Sequence, residues 1–303
     1  MAPTTVRIAL DWTPNTIHSG IFLAKAKKFY AERDLNVEIL QPDAEYSKTP
    51  AKRLEAGEVD LAICPSESCI AYNETGKTPL QAIYAILQRD ASAISSTSLK
   101  SMSELSGRKY GSYNARYEDA IVKAMVAHDG GDASAVGIVQ SEGKLSMFEA
   151  LQAGRVDGTW IFLPWEGVEA ESNGTKLNSF ILKDFGIPYG YSPVIARNKN
   201  SSLSSDVLKN FISATQQGFE HARRFPEDAV DALLGKCDPP RSREFLSASQ
   251  ASINEFYGDG GRLGEMAPTR WNTWIKWLVD RDMIKDSVRL ESSSDIFTNE
   301  FIP

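Results

Sequence analysis

The chain has 303 residues, enough for two lobes or for one large α/β domain. Charged residues make up 24% and hydrophobic ones 42%, the proportions of an ordinary globular protein. A net charge of −7 and an isoelectric point near 5.2 argue against a general nucleic-acid or anionic-membrane binder, leaving room only for a local basic pocket.

Apolar runs predict strands at 6–12, 36–41, 60–64 and 80–87, then at 108–113, 136–140, 158–163 and 192–197. Amphipathic stretches between them predict helices at 18–33, 46–56, 66–75, 117–129, 144–153 and 164–172. Alternation of this kind implies a mainly parallel sheet with covering helices. From Ser205 onward the pattern turns helical, at 205–222, 226–235, 241–257 and 267–282, with Gly258-Asp259-Gly260-Gly261 as a connector. The tail, Asp295 to Pro303, carries Ile296, Phe297, Phe301 and Ile302, which suit packing against a lobe.

No apolar run approaches the roughly 18–20 residues that a membrane-spanning helix needs. The first residues, Met1-Ala2-Pro3-Thr4-Thr5, show no basic segment followed by an apolar stretch, so a cytoplasmic location is expected, with a removed leader as the other reading. Cys64 and Cys69 stand too far apart for a C-x-x-C pair, and Cys237 leaves an odd count, so free buried thiols are expected rather than a metal site or a disulfide framework. Asn73, Asn173 and Asn200 head glycosylation tripeptides, which carry no meaning in a cytoplasmic chain.

Three strand-to-helix turns concentrate polar chemistry where an α/β sheet presents backbone N–H groups. Asp11-Trp12-Thr13-Pro14-Asn15-Thr16-Ile17-His18-Ser19-Gly20 follows the first strand. Trp12 suits stacking on a flat ligand, and Asn15 offers a donor and an acceptor. The same residues also suit a core aromatic and a set of helix caps, and His18 fits either a ligand contact or a cap. Gly111-Ser112-Tyr113-Asn114-Ala115-Arg116-Tyr117 can open backbone N–H groups to an anion beside Arg116, or simply cap the next helix between two packed tyrosines. In Trp160-Ile161-Phe162-Leu163-Pro164-Trp165-Glu166-Gly167, Pro164 suits a first helical turn, and Glu166 either favours the helix start or accepts from an exocyclic amine. Trp160 and Trp165 read as core or as a stacking wall. A further turn, Cys64-Pro65-Ser66-Glu67-Ser68, places Ser66 at a capping position from which its hydroxyl can also touch a ligand.

An internal echo links the two halves. Leu54-Glu55-Ala56-Gly57-Glu58-Val59-Asp60 returns as Leu151-Gln152-Ala153-Gly154-Arg155-Val156-Asp157, each copy closing a helix on glycine and entering a strand. Two lobes of related topology explain it, and a two-lobe binder places such turns around a ligand between the lobes. No H-E-x-x-H, G-x-S-x-G, G-x-G-x-x-G or P-loop pattern occurs, so no local constellation argues for catalysis.

The run D-W-T-P-N-T-x-H-S-G, with A-G-x-V-D-L, W-I-F-x-x-W-E-G and the terminal F-T-N-E-F, resembles a thiamine-pyrimidine family. That family includes periplasmic-binding-protein-like ABC-transporter binding proteins for thiamine pyrimidine precursors and the fungal thiamine-pyrimidine (hydroxymethylpyrimidine phosphate) synthases. The resemblance implies the type II periplasmic-binding-protein fold, two α/β lobes with a ligand cleft and two hinge crossings, near Ser95 to Leu99 and near Tyr191 to Val194. Lobe 1 would hold 1–96 and 194–303, and lobe 2 would hold 97–193. It implies that Trp12, Asn15 and His18 belong to the pyrimidine loop, that Tyr113 to Arg116 fall where the synthases bind phosphate, and that Glu166 faces the pyrimidine. The synthases carry a lysine and a histidine just after the third strand, where pyridoxal phosphate is bound and consumed, and a cysteine-rich run before the second crossing. Here those stretches are Leu61 to Ser68 and Ile187 to Pro193, with none of these residues.

The expectation is a binder of a small heterocycle, a thiamine-precursor aminopyrimidine, with a synthase-like enzyme of thiamine biosynthesis as the alternative. Trp12 would stack, Asn15 and Glu166 would read the polar edge, and Ser112, Tyr113, Asn114 and Arg116 would hold a polar or anionic substituent. His18, Ser66, Trp160 and Trp165 complete the candidate set. No catalytic residue, metal or cofactor is expected, pyridoxal phosphate or iron belonging only to the synthase alternative. Neither nucleic acid nor a membrane span is expected; an ABC permease is a partner only for an exported chain, and a homodimer is compatible with the sequence.

Overall fold

The computed structural model describes residues 2–43, 46–75, 78–140, 147–258, 260–284 and 295–303. Residues 144–146 of the helix expected at 144–153, and Asp259 of the connector, lie outside the described residues. The chain forms two units, Met1–Asp43, Ser47–Asp90 and Gly190–Pro303 in one, and Ala44–Tyr46 with Ala91–Tyr189 in the other.

The first unit alternates β1 (Thr4–Ala9), α1 (Ser19–Ala26), β2 (Leu35–Leu40), α2 (Pro50–Glu55), β3 (Leu61–Cys64), α3 (Ser66–Thr75) and β4 (Leu80–Ala85). The second holds β5 (Ser92–Ser96), β6 (Lys109–Ser112), α4 (Glu118–His128), β7 (Gly137–Gln140), α5 (Met147–Gln152), β8 (Gly158–Phe162), α6 (Val168–Ser172) and β9 (Asn178–Phe180). The chain then returns to the first unit as β10 (Val194–Asn198), α7 (Ser205–Arg224), α8 (Pro226–Leu233), α9 (Arg243–Ile253) and α10 (Pro268–Val279).

Each unit has its own five-stranded sheet, ordered β2-β1-β3-β10-β4 and β7-β6-β8-β5-β9. Strands β1, β2 and β3 are parallel, as are β6, β7 and β8. Strand β10 runs antiparallel to β3 and β4, and β5 runs antiparallel to β8 and β9. The mainly parallel sheet expected from the alternation is therefore corrected to two mixed sheets. A helical crossover delivers a parallel strand, whereas β5 and β10 each enter their sheet directly on passage from the other unit. Strand β5, Ser-Ala-Ile-Ser-Ser, is too polar to read as an apolar run, yet it is buried throughout, with Ser95 Oγ bonded to Ser179 Oγ at 2.8 Å.

The echoed segments perform the same work in both sheets. Gly57 and Gly154 adopt φ of +70° and +66°, the left-handed caps after α2 and α5. Asp60 accepts the Arg7 N–H at 2.8 Å and donates its own N–H to the Arg7 carbonyl at 2.9 Å. Asp157 accepts the Lys109 N–H at 2.9 Å and donates to the Lys109 carbonyl at 2.7 Å. Each aspartate thus fastens a strand to its parallel neighbour, β3 to β1 in one sheet and β8 to β6 in the other.

Helix α1 stops at Ala26 rather than running to residue 33, because Lys28 and Asp34 take positive φ and turn the chain into β2. Behind α1 the two helices α1 and α7 meet backbone to backbone: a Cβ on Gly218 would lie 2.0 Å from the Gly20 carbonyl oxygen. The tail covers the edge of β4, where the Ala82 N–H donates to the Ile296 carbonyl at 2.8 Å and Phe297 stacks on Trp271 at 5.5 Å. Covering an edge strand removes an open template for aggregation.

Candidate functional site

The first candidate turn leaves β1 and enters α1 through a single turn of 3₁₀-helix, Thr16–His18. Asn15 caps it in extended backbone, its Oδ1 accepting the Ile17 N–H at 2.8 Å and its Nδ2 donating to the Thr13 carbonyl at 3.0 Å. The Asn15 N–H donates to His18 Nδ1 at 3.3 Å, completing a reciprocal capping box. His18 is fully buried, and its Nε2 stands 2.8 Å from Asp11 Oδ1. Since Nδ1 accepts an N–H, the ring proton sits on Nε2 and is donated to Asp11.

Helix α9 pins this turn from a distant part of the chain. Thr16 Oγ1 and Ser249 Oγ are 2.7 Å apart, Ser19 donates to Gln250, and the Tyr257 hydroxyl donates to the Thr16 carbonyl. All five side chains are buried. Asp11 and Trp12, by contrast, are only half-buried. Ser66 is fully buried as the first residue of α3, where its hydroxyl donates to Glu67 Oε2 at 3.2 Å and its N–H to the Tyr191 carbonyl at 3.0 Å. It is thus a first-turn residue bonded to its neighbour rather than a side-chain cap.

The second unit holds the other two turns. Between β6 and α4, Asn114 and Tyr117 take φ of +59° and +63° and fold the backbone around the buried carboxylate of Glu118. Glu118 Oε1 accepts from the Tyr110 hydroxyl at 2.8 Å and the Tyr113 N–H at 3.1 Å, while Oε2 accepts the Ala115 N–H at 2.9 Å. Ser112 is fully buried, accepting the Asn114 N–H at 3.0 Å and donating to Asp119 at 2.7 Å. The backbone donors expected to face an outside anion are thus taken by the protein's own carboxylate and hydroxyl. Arg116 is exposed, and Asn114 Oδ1 accepts from Gln140 at 3.4 Å. Tyr113 packs on the cluster of Met147, Phe148, Leu151 and Val156. Burial first, then the negative charge of Glu166, pushes its hydroxyl well above the ordinary tyrosine range.

After β8 the chain makes one π-turn, Leu163–Gly167, with Pro164 in its first turn. Glu166 Oε2 accepts the Phe162 N–H at 2.8 Å, the stabilising position for an acid at a helix start. Trp165 is buried, whereas Trp160 is half-buried and faces Tyr189 at 5.5 Å between ring centroids. The structure therefore groups Asp11, Trp12, Asn15 and His18 on one turn of the first unit. In the second unit it brings Tyr113 close to Glu166. Sequence reasoning placed Asp11 in the candidate turn without giving it a role, and passed over Glu118, Tyr189, Ser249 and Gln250; of these four only Glu118 carried a signal, as an acid opening a helix directly after a polar turn.

All three cysteines are buried free thiols, and among the described residues no group of three or more His, Cys, Asp or Glu side chains is placed to hold a metal ion. No helix among the described residues is long and apolar enough to cross a membrane.

Residues 15–229 match the family described as NMT1/THI5 like. A formylaminopyrimidine-binding protein of Halalkalibacterium halodurans is 23% identical over 97% of this chain and 91% of its own length. Among solved structures, the alkanesulfonate-binding protein SsuA of Xanthomonas axonopodis pv. citri superposes with a TM-score of 0.74 at 12% identity, covering 98% of this chain and 99% of that one. The periplasmic aliphatic sulphonate-binding protein SsuA of Escherichia coli gives 0.67 at 14% identity, covering 94% and 89%. The fold is accordingly that of the periplasmic binding proteins. The cytoplasmic location expected above is corrected, since the solved structures of this fold include a periplasmic binding protein. The physical reason is that a leader pattern near the first residue does not decide the compartment, and an acidic surface suits either one. With more than half of its residues inside the family match, the chain belongs to the NMT1/THI5-like family.

Proposed function

We propose that this protein binds a small aminopyrimidine-like heterocycle and releases it unchanged. The observation that carries this reading is the near full-length similarity to a formylaminopyrimidine-binding protein. The chemistry of the candidate turns supports it. Trp12 is half-buried and follows Asp11, whose carboxylate is bonded to His18, on a turn held by buried hydrogen bonds. A flat ring stacks on the first, and an exocyclic amine donates to the second. Within the second unit, considered by itself, Glu166 and Tyr113 pair an acid with a ring in the same way. An ABC-type import permease is the partner that suits such a binder.

Pyridoxal phosphate does not fit the turn after β3. Cys64, Ser66 and Glu67 are all buried there, and no lysine amine is present to join an aldehyde. No step is therefore assigned to that group, and the synthase alternative gains no support from these residues.

Isothermal titration calorimetry of the purified chain with 4-amino-2-methylpyrimidines tests the reading. One ligand per chain is expected, with the same ligand recovered intact afterwards by mass spectrometry. Heat-free titrations across the whole series would reject binding, and a changed ligand mass would reject release without turnover.

A further inference from the structure

We infer that Glu118 is a specificity-determining residue: its buried carboxylate fills the β6–α4 turn as a resident anion and bars phosphate, so the ligand is an unphosphorylated, amine-bearing heterocycle. This rests on the binding reading above, which it narrows to a ligand class.

A strand-to-helix turn with small and hydroxyl residues, left-handed backbone and a nearby arginine is the usual recipe for an oxyanion cradle. Here three successive donors of that cradle are engaged inside the chain. The N–H groups of Tyr113 and Ala115 go to the two oxygens of Glu118, and the N–H of Asn114 goes to Ser112 Oγ. A phosphate would need these same donors, and would have to displace a carboxylate that is only 3% exposed and also holds the Tyr110 hydroxyl.

Charge acts in the same direction. Asp119 lies beside Ser112, and the negative charges of Glu166, Glu118 and Glu149 all bear on the Tyr113 hydroxyl. A phosphate dianion brought to this turn would meet like charges, of which the buried Glu118 is screened least, the half-buried Asp119 and Glu166 more and the exposed Glu149 most. Arg116 is the one cation of the 111–117 turn, and its side chain is exposed, where a single ion pair contributes little. An amine or ring N–H on the ligand meets the opposite condition and is drawn toward the more accessible Glu166 and Glu149, while Glu118 stays engaged within the turn.

The test compares 4-amino-5-hydroxymethyl-2-methylpyrimidine with its phosphate monoester by calorimetry on the wild-type chain. Wild type is expected to bind the alcohol at least about tenfold more tightly than the ester. Equal binding, or tighter binding of the ester, overturns the inference. Glu118→Ala and Glu118→Gln, each checked for folding by circular dichroism, are then titrated with both ligands and with inorganic phosphate followed by phosphorus NMR line width. Glu118→Ala is expected to narrow the preference and to broaden the phosphate signal, with Glu118→Gln intermediate; a folded Glu118→Ala with the wild-type preference and sharp phosphate signal sinks the idea. If wild type binds neither pyrimidine, the binding reading itself fails. The phosphate signal then judges Glu118 alone: broadening in the variant only supports it, and equal behaviour overturns it. Should neither variant fold, the wild-type ratio decides.

Discussion

His18 can keep its place in only one tautomer, and that tautomer orients Asp11. Its Nδ1 accepts from the Asn15 backbone, so the Nε2 proton is donated to the Asp11 carboxylate and fixes its orientation. The half-buried indole is the residue most suited to stacking, so Trp12→Ala should weaken aminopyrimidine binding by about 1–3 kcal/mol, measured by calorimetry against wild type. Glu118 gives a second residue-level expectation. Burial raises its carboxyl above the ordinary value of 4.5, against the opposing pull of the Ala115, Tyr110 and Tyr113 donors. Between the ordinary and the raised value, the folded chain holds this proton more tightly than the unfolded chain. The contribution of Glu118 to stability is therefore full below the ordinary value and falls as pH rises through the raised one. Urea midpoints measured from about pH 4 to 7 should show this loss in wild type, and Glu118→Gln should lack it. An unchanged slope in the variant would assign the pH response to other carboxyls.

At the scale of elements, two glycines that look alike in sequence do different work. Gly154 sits at φ +66° with nothing within 4 Å of a would-be Cβ, so Gly154→Ala meets only backbone strain, about 1–2 kcal/mol. Gly218 lets α7 lie against α1, where a Cβ would come within 2.0 Å of the Gly20 carbonyl oxygen. Neither backbone can give way cheaply, so Gly218→Ala should cost more than Gly154→Ala, about 3 kcal/mol, as read from chemical denaturation. Because α1 begins at the candidate turn, the Gly218 variant should also lose ligand affinity, whereas the Gly154 variant loses stability alone. The repeated Gly and Asp of the echo were readable because the glycine caps are local and each aspartate pairs with the strand entered about fifty residues earlier, 53 in one half and 48 in the other. The antiparallel entry of β5 and β10 was not, since strand direction depends on where the chain has just been.

On the scale of the whole molecule, the duplicated sheet order makes each unit a complete α/β layer with its own aspartate clamp. A ligand that binds only the folded chain stabilises it by mass action, about 2.7 kcal/mol at a hundredfold excess over Kd. For a chain of this length the midpoint should rise by roughly 5 °C, which a thermal-shift titration with the aminopyrimidine series would detect. A midpoint that ignores every aminopyrimidine while calorimetry records heat would mean that the ligand also binds the unfolded chain.

Periodicity, helix stops and local caps belong to short stretches of chain, and the sequence by itself determined them: the α/β alternation, the two G-x-V-D junctions and the polar, tryptophan-bearing turn before α1. Tertiary structure alone decided the long-range hydrogen bonds. Thr16 finds Ser249 across 233 residues, and Ser19 finds Gln250 across 231. The turn at 111–117 reads as an open anion site in one dimension, because its donors are visible and their acceptor is not. Folding brings the Glu118 side chain back to the N–H groups of Tyr113 and Ala115, and a buried carboxylate with matched donors displaces the water or ion that an exposed turn would hold.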